Sequence, residues 1–375
     1  MKKQYALLYV MFFFLLMFLV ISPVFAETKK ANIQMAILLD TSGSMEGLIE
    51  QAKSHLWKIV NELATAKKDS QNVHLEVALY EYGKDSIPAS EGYLRMIVPL
   101  STDLDKISEE LFKLTTYGGS EYCGQVIDSA TKGLKWSKKN DDLKVIFIAG
   151  NEPFTQGELD YKKACKNAIT KGINVNTIFC GNYQEGIDTQ WKDGADLADG
   201  KYINIDHNQQ IVHIDAPQDK ELIKLNEELN NTYVPYGTEG ESKKLRQEEQ
   251  DANAASLSKE VMAQRAVAKA SSHYDNASWD LVDAIKNKQV DVSKLKDKEL
   301  PKELRGKSKK EINAYVDKMQ DKRAKIQEKI SKLNKAREKY VTEERKKLAG
   351  ENSLDTAIIK ALRKQASKKN FQMEK

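Results

Sequence analysis

An α/β domain with a mainly parallel sheet, followed by an all-α region, is the fold class this sequence predicts. Three observations predict it. Nearly continuous apolar runs, such as Ile33-Gln34-Met35-Ala36-Ile37-Leu38-Leu39 and Val145-Ile146-Phe147-Ile148-Ala149, read as strands buried on both faces. Between such runs apolar residues recur at helical spacing, as at Leu48, Ala52, Leu56, Ile59 and Leu63. Pro, Gly and aromatic residues concentrate before about residue 240 and Lys, Glu and Ala after it, which marks a boundary.

The elements follow in order. After the first strand and its helix, Val73, Leu75, Val77 and Leu79 alternate along a strand over 73–80, and 93–98 is another. Asp103, Leu104, Ile107, Leu111 and Leu114 describe a helix capped by Thr102 or Asp103. Val126, Ile127, Ala130 and Leu134 mark a helix entered from Gly118-Gly119-Ser120, and the strand over 144–149 ends at Gly150. A helix over 158–171 stops at Gly172, and a strand over 173–179 follows. A short helix near 189–197 and a strand over 201–205 close the alternation. A helix over 221–229 completes a first domain over 27–236, and the polar stretch 237–251 reads as an exposed linker.

Residues 252–375 carry helical patterns with almost no strand signal. Val261, Val267, Trp279, Leu281, Val282 and Ile285 give one or two helices a buried face. In a long helix over 309–348, Ile312, Met319, Ile326, Leu333 and Tyr340 recur every seventh residue, with Val316 and Ile330 beside them. Arg323 and Arg337 interrupt the second apolar position. A narrow, partly coiled-coil-like stripe packing on a partner helix is expected, and Ile358, Ile359 and Leu362 belong to a final short helix.

A net charge of +4 over 375 residues gives no reason to expect nucleic acid as a partner. Lys2 and Lys3 precede an uncharged stretch over 4–26 that ends in Val24-Phe25-Ala26, the layout of a secretory signal over 1–26. An uncleaved membrane anchor is the alternative, and both place the body of the protein outside the cytoplasm, secreted or periplasmic. Cys123, Cys165 and Cys180 fit no zinc spacing, and their odd number leaves one without an intramolecular partner. Pairing of Cys165 with Cys180 is one arrangement.

The residues that carry chemistry sit just after the first buried strand: Asp40-Thr41-Ser42-Gly43-Ser44. Ligands of open α/β sheets bind outside the carboxyl ends of the strands, so a carboxylate and two hydroxyls can converge there. Oxygen donors suit a hard cation, Mg²⁺ or Mn²⁺. The same five residues also make a sound turn and helix cap, which is the structural alternative. The strand before the motif and the helix after it favour the metal.

Asp40, Ser42 and Ser44, with Met45 closing the string, resemble the adhesion-site motif Asp-x-Ser-x-Ser of the von Willebrand factor A family. The resemblance covers about residues 31–230. It implies a Rossmann-like domain, a six-stranded mostly parallel sheet with helices on both faces and the metal at its top edge. An acidic group of a protein ligand would complete the metal's shell, and no enzymatic activity is implied. Two departures stand out. The family's second loop supplies a Thr, where this chain offers Ser120 beside Glu121, or Thr116. The third loop presents an Asp before Gly, where this chain has Ala149 before Gly150-Asn151-Glu152. Glu121 or Glu152 is expected to replace the missing charge. The expected metal set is therefore Asp40, Ser42, Ser44, Ser120 and Glu121.

Other chemistry is weaker. His55, His74, His207, His213 and His273 are scattered, and no Gly-x-Ser-x-Gly elbow or phosphate loop appears. Basic residues outnumber acidic ones about two to one over 302–347, as on a solvated helix face; contact with a membrane surface or an acidic polymer is the alternative. The expected function is an extracytoplasmic protein-binding module working through a divalent metal. The competing reading is a scaffold subunit with a structural metal, whose C-terminal helices assemble with another chain or with a second copy.

Overall fold

The computed structural model describes residues 30–206, 211–347 and 354–373. The expected signal segment lies outside these residues. Six strands form the main sheet: β1 (Asn32–Asp40), β2 (His74–Tyr82), β3 (Leu94–Ser101), β4 (Leu143–Gly150), β5 (Ile173–Cys180) and β6 (Tyr202–Ile205). Their spatial order is β3-β2-β1-β4-β5-β6, and β3 alone runs antiparallel to its neighbour. This is the Rossmann-like architecture that the resemblance implied. β4 is buried at every position, which explains why its sequence is a continuous apolar run rather than an alternation.

Each face of the sheet has its own core. On one, α1 (Glu46–Ala64) and α2 (Leu104–Lys113) pack Leu56, Trp57, Val60, Ile107 and Leu111 against Met35, Leu75 and Val145. On the other, α3 (Cys123–Gly133) and α4 (Tyr161–Thr170) pack Val126, Ile127, Ala164 and Ala168 against Leu38, Ile146 and Ile148. The short helices α5 (Tyr183–Asp188) and α6 (Trp191–Leu197) finish that side, where Trp191 is fully buried. Asp103 caps α2, its carboxylate accepting from the Lys106 amide at 3.0 Å. The fourth helix begins at Tyr161 rather than 158 because Asp160 caps it, accepting from the Lys162 amide.

The cysteines are free and buried. Cys165 belongs to the core on one face of the sheet and Cys180 to the core on the other, so the pairing considered from sequence does not form. Burial raises the Cys165 thiol to about 12.

The C-terminal region departs most from expectation. Residues Ala31–Lys375 make one compact unit. The stretch expected as a linker is helix α8 (Gly240–Leu257), which follows α7 (Asp219–Asn230) and precedes α9 (Lys259–Ala270) and α10 (Leu281–Lys286). Gln247, Gln250 and Asp251 of α8 are buried, and their polarity is what made the segment read as exposed. Each finds a partner that sequence does not reveal. Gln250 accepts from Ser108 at 2.9 Å, Gln247 donates to Tyr274 at 3.0 Å, and Asp251 accepts from Arg265 at 2.5 Å.

Helix α11 (Lys309–Lys347) buries the expected stripe through Ile312, Val316, Met319, Ile326 and Ile330. Its partners are the chain's own helices. Arg323 and Arg337, which look like interruptions, are buried too. Arg323 donates to Asp280 at 2.7 Å and Asp283 at 2.8 Å and lies 4.2 Å from the Tyr233 ring centre, and Arg337 meets Asp219 at 2.7 Å. The last helix, α12 (Leu354–Lys368), places Leu354, Ile358 and Leu362 in the same core as α1. Among the described residues no helix is long and apolar enough to cross a membrane.

Candidate metal site

β1 delivers Asp40 to the carboxyl edge of the sheet, where the chain turns into α1. The Asp40 carboxylate folds back onto its own turn, Oδ1 accepting from the Ser42 amide at 2.7 Å. The Ser42 carbonyl then accepts from the Met45 amide at 3.1 Å, leading into the helix. The turn is pinned sideways. Thr41 donates its amide to the Tyr82 carbonyl at 2.8 Å and its hydroxyl to Glu81 at 3.2 Å. The Ser42 and Ser44 hydroxyls meet at 3.3 Å, and Ser44 reaches Asn151 at 3.2 Å. The first and third loops are thereby joined.

The second loop is drawn in by backbone bonds, Tyr117 amide to Thr41 carbonyl at 2.9 Å and Asp85 amide to Gly118 carbonyl at 2.6 Å. It carries Glu121 inward, where the Glu121 amide donates to Gln156 at 3.0 Å. Two glycines make room. Gly83 adopts φ +79°, and a Cβ there would lie 2.7 Å from Asp40 Oδ1 and 2.8 Å from Glu121 Cγ. A Cβ on Gly150 would lie 2.5 Å from the Tyr82 hydroxyl and 3.0 Å from Asp40 Oδ2.

Asp40 is 0% exposed and Glu121 3%. Their carboxyls face one another, and Asp40 Oδ2 and Glu121 Oε2 are buried without a hydrogen-bond partner. Among the described residues no Lys or Arg forms an ion pair with either. Burial first, and Glu121 second, push the Asp40 carboxyl well above its ordinary range. Burial raises Glu121 as well. Beneath them Tyr82 donates its hydroxyl to the Ala149 carbonyl at 2.9 Å, and burial raises it too. Uncompensated buried carboxylates are costly, and a cation between them removes that cost.

The donors present are carboxylate, hydroxyl and amide oxygens, which suit a hard divalent ion. Among the described residues no group of three or more His, Cys, Asp or Glu side chains gathers to hold a metal. Asp40, Ser42, Ser44 and Glu121 lie together at this turn. Ser120 is half-buried, and neither it nor Thr116 makes a side-chain hydrogen bond to the group among the described residues. Glu152 is exposed, and its carboxylate accepts from Gln156 at 3.3 Å. Of the two carboxylates considered from sequence, Glu121 is the one buried against Asp40, and Glu152 stands at the rim. Sequence reading passed over Asn151, Glu81 and Gly83. A glycine directly after a buried strand was the visible signal for the last.

Residues 34–192 match the family model of the von Willebrand factor type A domain. The chain contains a von Willebrand factor type A domain. Its solved neighbours include the conserved hypothetical protein BatB from Bacteroides thetaiotaomicron, at 17% identity and TM-score 0.36, covering 46% of this chain and 90% of that one. The SpRpn10 VWA domain aligns at 16% identity and TM-score 0.35, covering 48% and 99%. Proximal thread matrix protein 1 from the mussel byssus, with a zinc-occupied MIDAS motif, aligns at 14% identity and TM-score 0.35, covering 48% and 43%. No curated protein matches the chain. Domains of this family commonly mediate protein–protein contact, so the von Willebrand factor A domain supports a protein-interaction module here.

Proposed function

We propose that this protein is an extracytoplasmic binding module that engages a protein partner through Mg²⁺ or Mn²⁺ at the rim of its von Willebrand factor A domain. One observation carries the reading: two buried carboxyls, each with one oxygen that has no hydrogen-bond partner, face one another beside a pair of hydroxyls at the carboxyl edge of a mostly parallel sheet. Asp40, Ser42 and Ser44 would hold the cation, with Glu121 supplying the charge that Ala149 does not. The bound cation would offer an open position to an acidic group of the partner. Ser44 is exposed and Ser42 buried, so the partner would approach from the Ser44 side. In this reading Ser42 and Ser44 serve as ligands; their hydroxyls bond each other, and Ser44 bonds Asn151. A fluorophosphonate probe that labelled either serine would contradict that role.

Calorimetry with Mg²⁺ and Mn²⁺ tests the site. Glu121→Gln is expected to weaken binding at least about tenfold, equivalent to about 1.4 kcal/mol, and Asp40→Ala to abolish it. Wild-type affinity in both variants would remove the proposal. The apolar stripe of α11 is spent inside the chain, which favours this reading over assembly through the C-terminal helices.

A further inference from the structure

At the last strand of the sheet, an open groove of about 430 Å³ runs between β6 and α12. Tyr202 and Asn204 of β6 line its sheet side together with Tyr183 at the start of α5, and Lys201, Lys360 and Lys364 line its rim and helical side. Among the described residues no Asp or Glu lines it. Its sheet side is an edge, since β6 is the last strand. The Lys201 and Ile205 carbonyls accept from the Thr177 and Gly181 amides at 2.9 and 3.1 Å, on the β5 side. Backbone groups alternate along a strand, so the N–H and C=O of Tyr202 and Asn204 point away from β5. Such a row is a template for another strand.

Lysines often only blunt an edge. Here two of the three stand on α12, across the groove from the strand, where they face whatever lies along it. Lys201 and Lys364 are close enough that each ammonium opposes the other, which lowers Lys201. The nearby Asp196 is engaged by Lys192. An anionic occupant would relieve that repulsion. The Tyr183 and Tyr202 rings, 5.3 Å apart, add an apolar wall, and Tyr183 is 55% exposed.

We propose that this groove binds an extended acidic segment of a partner protein, which adds as a strand beside β6 and sets its carboxylates against Lys201, Lys360 and Lys364. Main-chain bonds would supply affinity, and side chains of alternate residues specificity. The four residues of β6 span about 13 Å, enough for two acidic side chains on one face.

The test is fluorescence anisotropy of the purified chain with a labelled octapeptide of alternating Glu and Val. Three companions are run: the Gln-for-Glu peptide, a peptide N-methylated at alternate amides, and the doubly substituted protein Lys360→Glu/Lys364→Glu. Each change is expected to weaken binding about tenfold or more, with EDTA and Asp40→Ala leaving it unaltered. The modified peptides act on the wild-type protein, so a folding defect in the variant cannot imitate the result. No binding of the Glu-Val peptide, equal binding of the N-methylated form, unchanged affinity in the lysine variant, or loss with EDTA would each overturn the proposal.

Discussion

Two pairs of buried acids, one at the sheet rim and one under the C-terminal helices, have opposite fates. Beneath α8 and α9, Asp105 and Asp251 share Arg265, at 2.8 and 2.5 Å, and Lys269 reaches Asp251 at 2.9 Å. Burial alone would raise Asp251, but Lys269 and Arg265 hold it well below the usual carboxylate range. At the rim, Asp40 and Glu121 are buried with no such cation, and Asp40 is pushed the other way. A buried carboxyl is therefore matched by cations in one place and set against a second carboxyl in the other. Partners decide which, not burial. Even the matched joint is costly, since burial pulls the Lys269 ammonium down to about 8 despite Asp251.

The largest test of this contrast is Arg265→Ala. It strands Asp105 and Asp251 in the interior and is expected to cost about 3–5 kcal/mol in urea unfolding. A cost under about 1 kcal/mol would mean that the joint is wetter than its geometry implies. Next comes the cation itself. Mg²⁺ at a hundred times its dissociation constant is expected to stabilise the wild type by about 2.7 kcal/mol, and EDTA to reverse it. Asp40→Ala should show no such gain, and an equal shift in that variant would place the ion elsewhere.

Acid titration sharpens the comparison further. A depressed carboxylate contributes stability that is present above its unfolded value and is lost as pH falls through the folded one. Asp251 is such a group, so the stability gap between wild type and Asp251→Asn should close as pH falls below the ordinary Asp value of 3.8. A gap that widened in acid would reverse the assignment. The smallest effect belongs to Glu152→Gln. Its carboxylate is exposed, so the change should move stability by less than about 0.5 kcal/mol and Mg²⁺ affinity less than about twofold.

Much of this molecule was legible in its sequence because the signals were local. Apolar runs, helical spacing and the Gly-rich turns marked every strand of the main sheet, and Asp40-Thr41-Ser42-Gly43-Ser44 lay visibly between a strand and a helix. Glu121 was named as a source of charge from its place in the second loop, whereas Asn151, which reaches Ser44, had no distinguishing pattern. The region after residue 237 was harder. Helix α8 has few apolar residues to signal a buried face, and Arg323 and Arg337 carry the charge that ordinarily marks solvent.

The order of strands and helices in the sheet domain and the position of the Asp40 turn were thus properties of the sequence alone, because hydrophobic periodicity and turn chemistry act over a few residues. The tertiary structure decided which acids are neutralised. Asp251 meets Arg265 and Lys269, Arg323 meets Asp280, and Asp40 faces the like-charged Glu121, through contacts between segments apart in the chain. A charged residue looks the same in a sequence whatever it will face, and in this protein that separates Asp251, set among cations, from Asp40, set against Glu121.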